Sequence, residues 1–189
     1  MNVVCVLTAA GLSKRFGEDK LAYPIDGTPM GIRCLELYAQ IPFVHRILVT
    51  TKERVYLQEA GERLGYEVLL NPSPEAGMSG SVVLGTEAAL NWAPDGILYA
   101  VGDQPYLRKE TVSALLNAFE EEPHCIWALG KQGKSGKPSV FPKACFDELL
   151  RLTGDRGGRP VMQAHPDLIR LLETEAKELL DLDIREEIV

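Results

Sequence analysis

The segment Val3 to Leu7 is an unbroken apolar, largely β-branched run, and it empties into four small residues, Thr8-Ala9-Ala10-Gly11. Such a run reads as a strand buried in a parallel sheet, and the small residues after it as a loop that a ligand can approach closely. The rest of the chain keeps to that plan. Pro29 to Gln40 carries Ile32, Leu35 and Ala39 at helical spacing behind a proline, which predicts a helix. His45 to Thr51 reads as a second strand, Lys52 to Leu64 as a second helix closed by Gly65, and Glu67 to Leu70 as a third strand. Asn71 to Gly77 is loop by composition, and Met78 to Trp92 is patterned as a helix.

Gly96 to Val101 is the next strongly apolar strand, stopped by Gly102-Asp103-Gln104-Pro105. Lys109 to Phe119 is amphipathic, Cys125 to Leu129 and Pro138 to Phe141 read as strands on either side of a Gly/Lys-rich turn from Lys131 to Lys137, and Phe146 to Leu152 and Arg159 to Ala164 read as helices. Apolar stretches around Leu168 to Leu172 and Leu179 to Ile184 finish the chain. Strands alternating with helices predict βαβ units, hence an α/β fold with a mostly parallel central sheet flanked by helices. No repeat, low-complexity tract or long linker interrupts the 189 residues, so one domain over 1–189 is expected.

Charge narrows the function classes. With 20 basic against 27 acidic residues the net charge is -7, which disfavours nucleic acid and anionic lipid as partners. No apolar run approaches the ~20 residues of a membrane span, and the start lacks the basic region of a signal peptide. Cys5, Cys34, Cys125 and Cys145 are scattered, as expected of small core residues in a reducing cytoplasm. His45, His124 and His165 share no ligand spacing, which argues against a zinc site.

Two segments carry chemistry. In Thr8 to Leu21, exposed backbone N–H groups beside Ala10 and Gly11, a hydroxyl at Ser13 and cations at Arg15 and Lys20 suit a polyphosphate. The segment is neither a Walker A loop nor a Gly-x-Gly-x-x-Gly dinucleotide turn, and an ordinary loop with two solvated cations is the plain alternative. In the second segment Asp103 stands at the end of a buried strand, where open parallel sheets bind ligands. Its carboxylate suits Mg²⁺, or else it caps a turn. Further on, Arg156 and Arg159 sit among Gly154, Gly157 and Gly158, a clamp for a phosphate or a solvated loop, and Asp155 either pairs with one of them or caps the next helix. Trp92, Tyr106 and Trp127 read as packing residues.

Together, Ala-Ala-Gly-x-Ser-x-Arg-x-Gly-x-x-Lys at Ala9 to Lys20 and Gly102-Asp103-Gln104-Pro105 resemble the nucleotidyltransferases related to the molybdenum cofactor guanylyl- and cytidylyltransferases. Asn71 with Gly77-Met78-Ser79-Gly80-Ser81, Gly136-Lys137-Pro138-Ser139-Val140-Phe141, Leu149 to Arg159 and Asp181-Leu182-Asp183 continue the match, with Lys137 standing where cytidylyl relatives carry histidine. The resemblance implies a Rossmann-like nucleotidyltransferase fold. It also implies a nucleotide site of Thr8, Ala9, Ala10, Gly11, Ser13, Arg15, Lys20, Asn71, Ser79 and Ser81, with Arg15, Lys20 and Asp103 as catalytic groups. Mg²⁺ on Asp103 and Asp183, or Asp181, and an acceptor site of Lys137, Arg156 and Arg159 are implied as well. Thr-Ala-Ala-Gly and Gly-Asp-Gln-Pro are similar to the cytidylyl form, so CTP is the implied donor and GTP the alternative. The implied acceptor is a molybdopterin-type molybdenum cofactor, with transient contact to a molybdenum hydroxylase. Other readings are a sugar-phosphate type nucleotidyltransferase and a non-catalytic cofactor-binding or insertion module. An NAD(P) oxidoreductase lacks its glycine fingerprint.

Overall fold

Strand β1 (Val3–Thr8) is buried from Val3 to Leu7 because both of its faces and both of its edges are covered. The computed structural model describes residues 1–12 and 17–181. After β1 come a short hairpin, β2 (Pro24–Ile25) and β3 (Thr28–Pro29), then α1 (Met30–Ala39), β4 (His45–Thr50), α2 (Val55–Arg63) and β5 (Glu67–Leu70). The middle of the chain supplies α3 (Met78–Leu90), β6 (Gly96–Val101) and α4 (Lys109–Glu121). The last third holds β7 (Ile126–Lys131), β8 (Lys134–Pro142), α5 (Phe146–Leu149), α6 (Arg159–Ala164) and β9 (Ile169–Glu173).

Seven strands form one sheet in the order β5-β4-β1-β6-β8-β7-β9. β1 pairs in parallel with β4 and β6, β5 with β4, and β9 with β7; β8 alone runs antiparallel to its neighbours β6 and β7. The sheet is therefore mostly parallel with helices on both faces, as the alternation of elements predicts. Alternate residues of β1 serve the two layers. Val3, Cys5 and Leu7 face Leu35, Tyr38 and Leu57 of α1 and α2, while Val4 and Val6 face Val82 and Ala89 of α3. All four cysteines are free and buried, and burial pushes the Cys34 thiol up to about 12.

Three local features differ from the sequence reading. The turn expected over Lys131 to Lys137 contracts to Gln132 and Gly133, both at positive φ (51° and 75°), so the strands continue to Lys131 and Lys134 in a tight hairpin. The apolar stretch Leu168 to Leu172 contains β9, added in parallel to β7 at the sheet edge. The helix expected over Phe146 to Leu152 ends at Leu149. Among the described residues no helix is long and apolar enough to cross a membrane.

Helix α3 lies close on the sheet because Gly85 faces Val6: a Cβ at Gly85 would overlap Val6 Cγ1. Gly85→Ala is expected to lose about 1–3 kcal/mol to overpacking against a helix-propensity gain of about 1 kcal/mol, a net destabilisation read as a lower urea midpoint. Gly80→Ala in the same helix, whose Cβ would meet nothing closer than Asn71 Nδ2 at 3.7 Å, is expected to be neutral or stabilising.

Candidate active site

Strands β1 and β6 end side by side, with Thr8 in register with Val101. The chain runs outward from β1 to β4 and β5 on one side, then returns to place β6 on the other, so the β1/β6 boundary is a topological switch point. Gly102 N–H still donates to Thr8 O (3.2 Å), and Ala9 N–H donates to Val49 O (2.7 Å), which holds both strand ends level. A cavity of about 490 Å³ opens there. Its floor is Thr8 to Leu12 with Val101, Gly102 and Asp103, and Lys20 rises beside them from a single 3-10 turn, Lys20–Ala22.

Lys20 Nζ lies 2.6 Å from Asp103 Oδ2, joining two loops 83 residues apart in the chain. Both side chains are largely shielded, at 13% and 19% exposure, so the pair is screened less than a surface ion pair would be. The other carboxylate oxygen, Asp103 Oδ1, is buried and makes no hydrogen bond among the described residues.

The opposite wall is Pro74 to Met78 with Ser81, Lys137 and Asp155. Gly77 is at φ 101°, and a Cβ there would come within 2.8 Å of Asp155 Cα and Gly154 O, so the close approach of the two segments requires glycine. The first N–H groups of α3 are already taken: Met78 N–H donates to Asp155 Oδ1 (3.0 Å) and Ser79 N–H to Gly154 O (3.1 Å). Asn71 Nδ2 donates to Ser81 Oγ (3.0 Å) while its Oδ1 accepts from Ser73 N–H (2.9 Å), which ties the 71–77 loop to α3. Ser79 Oγ is buried without a hydrogen-bond partner among the described residues. Lys137 Nζ reaches 3.7 Å from Met78 Sδ.

The floor loop is braced from behind. Arg54, at 7% exposure, donates from Nη1 to Ala9 O (2.5 Å), from Nη2 to Gly11 O (2.7 Å) and from Nε to Asp19 Oδ1 (3.0 Å). Tyr56 Oη donates to Asp19 Oδ2 (2.9 Å), and Asp19 Oδ1 also accepts from Leu21 N–H (3.3 Å), next to Lys20.

Of the residues singled out in the sequence, Thr8, Ala9, Ala10, Gly11, Lys20, Ser81, Asp103, Lys137 and Asp181 all line the cavity. Asn71 and Ser79 stand behind its wall. Arg156 and Arg159 are exposed and do not line it. Ser13, Arg15 and Asp183 lie outside the described residues. Asp155 caps neither of the groups its sequence neighbours suggested; it serves α3, 77 residues upstream. Arg54, Asp19 and Tyr56 escape a sequence reading, since Lys52-Glu53-Arg54 reads as the charged start of the second helix.

Four carboxylates line this cavity, Glu75, Asp103, Asp155 and Asp181, against the two lysines Lys20 and Lys137 among the described residues. Desolvation, and next the facing Asp103 carboxylate, raise Asp181 above the usual carboxylate range, against the pull of Lys137 and Lys20. Two facing carboxylates with one orphaned oxygen form a hard-oxygen donor set that fits a divalent cation such as Mg²⁺. A second grouping, Glu122, His124 and Cys125, satisfies itself: Glu122 pairs with Arg170 (3.3 Å) and accepts from Cys125 Sγ (3.5 Å).

Comparison with known proteins agrees with the fold. The family model described as the MobA-like NTP transferase domain matches residues 5–169. The chain is 29% identical over 169 residues to the purine catabolism protein PucB of Bacillus subtilis (strain 168), covering 86% of this chain and 81% of that one. It is 32% identical over 118 residues to a probable molybdenum cofactor guanylyltransferase of Aquifex aeolicus (strain VF5), covering 62% of this chain and 54% of that protein, so it spans about half of that relative's length. Among solved structures, Rv0371c from Mycobacterium tuberculosis H37Rv superposes with a TM-score of 0.83 at 24% identity, covering 98% and 95% of the two chains. Its complex with manganese gives 0.81 at 22% identity, with the same coverage.

The raised Asp181 makes a sign-definite expectation. Its deprotonation costs the folded state more than the unfolded chain, so its destabilising contribution is absent below the ordinary carboxylate value and complete above the raised one. Asp181→Asn is therefore expected to raise the thermal midpoint of the metal-free protein at pH 7, with the gain shrinking toward pH 4. The same variant is expected to lose most of the midpoint increase that added Mg²⁺ or Mn²⁺ gives the parent.

Proposed function

The chain belongs to the MobA-like NTP transferase family, and from that premise we propose that it transfers CMP from CTP to the phosphate of a molybdopterin-type molybdenum cofactor, releasing pyrophosphate. The observation that carries the reading is the Lys20–Asp103 pair at the β1/β6 switch point, a cation and a carboxylate with a spare oxygen beside a loop of backbone donors. That combination suits a metal-complexed polyphosphate and little else.

In the proposed reaction an acceptor phosphate oxygen attacks the α-phosphorus in line, the new P–O bond forms as the bond to the β-phosphate oxygen breaks, and pyrophosphate carries off the electron pair. The demand on the protein is for fixed positive charge and N–H donors around crowded negative charge. The N–H groups beside Ala10 and Gly11 would bind phosphate oxygens, Lys20 would neutralise the α-phosphate and the leaving pyrophosphate, and Arg15 and Ser13 would add to both. Asn71, Ser79 and Ser81 would shape the wall against which the base lies. Asp103, with Asp181 or Asp183, would hold Mg²⁺, which when bound acts as Lewis acid and template. The acceptor phosphate is already ionised near pH 7, so no general base is needed. Lys137 at the cavity wall, with Arg156 on the loop beyond it and Arg159 at the start of α6, would meet the acceptor's charge. The manganese complex of Rv0371c supports the metal role, and the four free, buried thiols favour a cytoplasmic setting.

CTP is favoured by Thr8-Ala9-Ala10-Gly11 and by Gly102-Asp103-Gln104-Pro105, which are similar to the cytidylyl form. A relative named as a probable guanylyltransferase favours GTP as the second reading.

Pyrophosphate release measured in parallel with CTP, GTP, ATP and UTP, each with Mg²⁺ and with or without molybdenum cofactor, is expected to require the cofactor and to be fastest with CTP. Fastest release with GTP would move the assignment to guanylyl transfer, and no release with any nucleotide would overturn it. Asp103→Asn is expected to lower kcat/KM by about 100-fold or more with the fold intact, as seen by circular dichroism.

A further inference from the structure

We propose that Arg54 is a positioning residue for the nucleotide's phosphates: from behind the loop after β1 it turns the N–H groups of Ala10 and Leu12 toward the cavity, without touching the nucleotide. The inference rests on the nucleotide reading above and adds to it a residue that lies outside the cavity lining.

The argument begins with peptide geometry. In a trans peptide the carbonyl of one residue and the N–H of the next point in opposite directions. Ala9 O shares its peptide with Ala10 N–H, and Gly11 O shares its peptide with Leu12 N–H. Among the described residues the one cis bond is Lys137–Pro138, so both of these peptides are trans. Arg54 draws both oxygens to one side, at 2.5 Å and 2.7 Å. The two N–H groups must then face the other side, where Ala10 and Leu12 line the cavity. Thr50 Oγ1 adds a weaker hold on Ala9 O at 3.3 Å, and Ala9 N–H is committed to β4 through Val49 O, so the loop is fixed at its root as well.

The third arm reaches the other phosphate-facing group. Arg54 Nε and Nη2 lie 3.0 Å and 2.9 Å from Asp19 Oδ1, and Asp19 precedes Lys20. One planar guanidinium thus sets two N–H donors and the root of the Lys20 side chain relative to one another. A charge this buried is costly unless every donor direction is used, and the fork of a guanidinium meets two carbonyls and a carboxylate at once. The compact ammonium of lysine could reach one or two of these partners but not all three. Bracing a surface loop alone would not require a buried cation; aligning donors that meet a triphosphate does.

The test is Arg54→Lys in the full chain, with Mg·CTP and Mg·GTP as probes in titration calorimetry and initial-rate kinetics. Affinity for the better nucleotide is expected to fall about 10–100-fold, the range typical when a supporting partner behind a binding group is lost. KM for the nucleotide is expected to rise in proportion while KM for the acceptor stays within about twofold, a split that general loosening of the fold would not give. In Arg54→Gly, millimolar methylguanidinium is expected to restore part of the nucleotide affinity, and equal sodium chloride is not. Should Arg54→Lys fail to fold, Tyr56→Phe decides: it removes one hydroxyl from Asp19, and about a two- to fivefold rise in nucleotide KM is expected, the loss of one hydrogen bond. A folded Arg54→Lys, or failing that Tyr56→Phe, with parental nucleotide affinity overturns the inference and leaves the nucleotide reading standing. A parent protein that binds neither Mg·CTP nor Mg·GTP overturns that reading, and the inference with it.

Discussion

The parallel pairing of β1 with β6 is the constraint on which the cavity depends. Their register runs from Val3↔Gly96 to Thr8↔Val101, so both strands stop at the same level and both chains leave the sheet together. Lys20 and Asp103 meet at 2.6 Å because of that register, since each is carried by the loop beyond its own strand. A slip of one residue would turn the side chains of one strand to the opposite face and exchange which residues meet each layer of helices. Val4, Val6, Ile97 and Leu98 are all fully buried, so such a slip would force residues of different size into both close-packed layers.

Much of this was legible in the sequence, for reasons that also explain what was not. Buried central strands announce themselves by continuous apolar runs, and β1 and β6 were readable within a residue. The β7–β8 hairpin was harder, because Lys134, Ser135 and Gly136 carry turn-like composition yet extend as strand once Gln132 and Gly133 take up the reversal. At the site, the floor residues Thr8 to Leu12 and Val101 to Asp103 sit at or just after strand ends, a position that topology alone marks. The residues that support it do not follow such a rule. Arg54 binds backbone oxygens 43 and 45 residues away, and Asp155 caps a helix start 77 residues away. Backbone partners leave no trace in side-chain spacing, so these contacts become visible only in three dimensions.

The acidity of the chain takes on a local meaning in the cavity. A net charge of -7 sets the long-range field, yet binding within a few ångströms depends on the groups that line the cleft. Those groups are themselves acidic in excess among the described residues, with the Asp103 carboxylate near enough to add to the burial that raises Asp181. A bare polyanion would meet repulsion both at a distance and at contact. Under the proposed function, a polyanion carrying a divalent cation would bring positive charge to the Asp103 and Asp181 carboxylates, and the same acidity would favour the metal complex.

The start of α3 sharpens where phosphate binding is to be sought. A helix N-terminus beside a cavity is an anion site by default, with free N–H groups and a favourable dipole. Here Gly154 O and Asp155 Oδ1 occupy the N–H groups of Ser79 and Met78, so two donors that would serve a phosphate already serve the protein. The loop after β1 is arranged in the opposite sense, its carbonyls held from behind by Arg54 and its cavity-facing peptide edges presented forward. Of two anion sites that the topology offers, the helix start has its first two N–H groups occupied, and under the proposed function the loop braced by Arg54 is the one that meets phosphate. The capping has a second effect, because Asp155 belongs to the segment that carries Arg156 and Arg159. Under the proposed function, that contact makes the wall beside the nucleotide and the loop that meets the acceptor parts of one packed unit, with Gly77 as the residue small enough to let them touch.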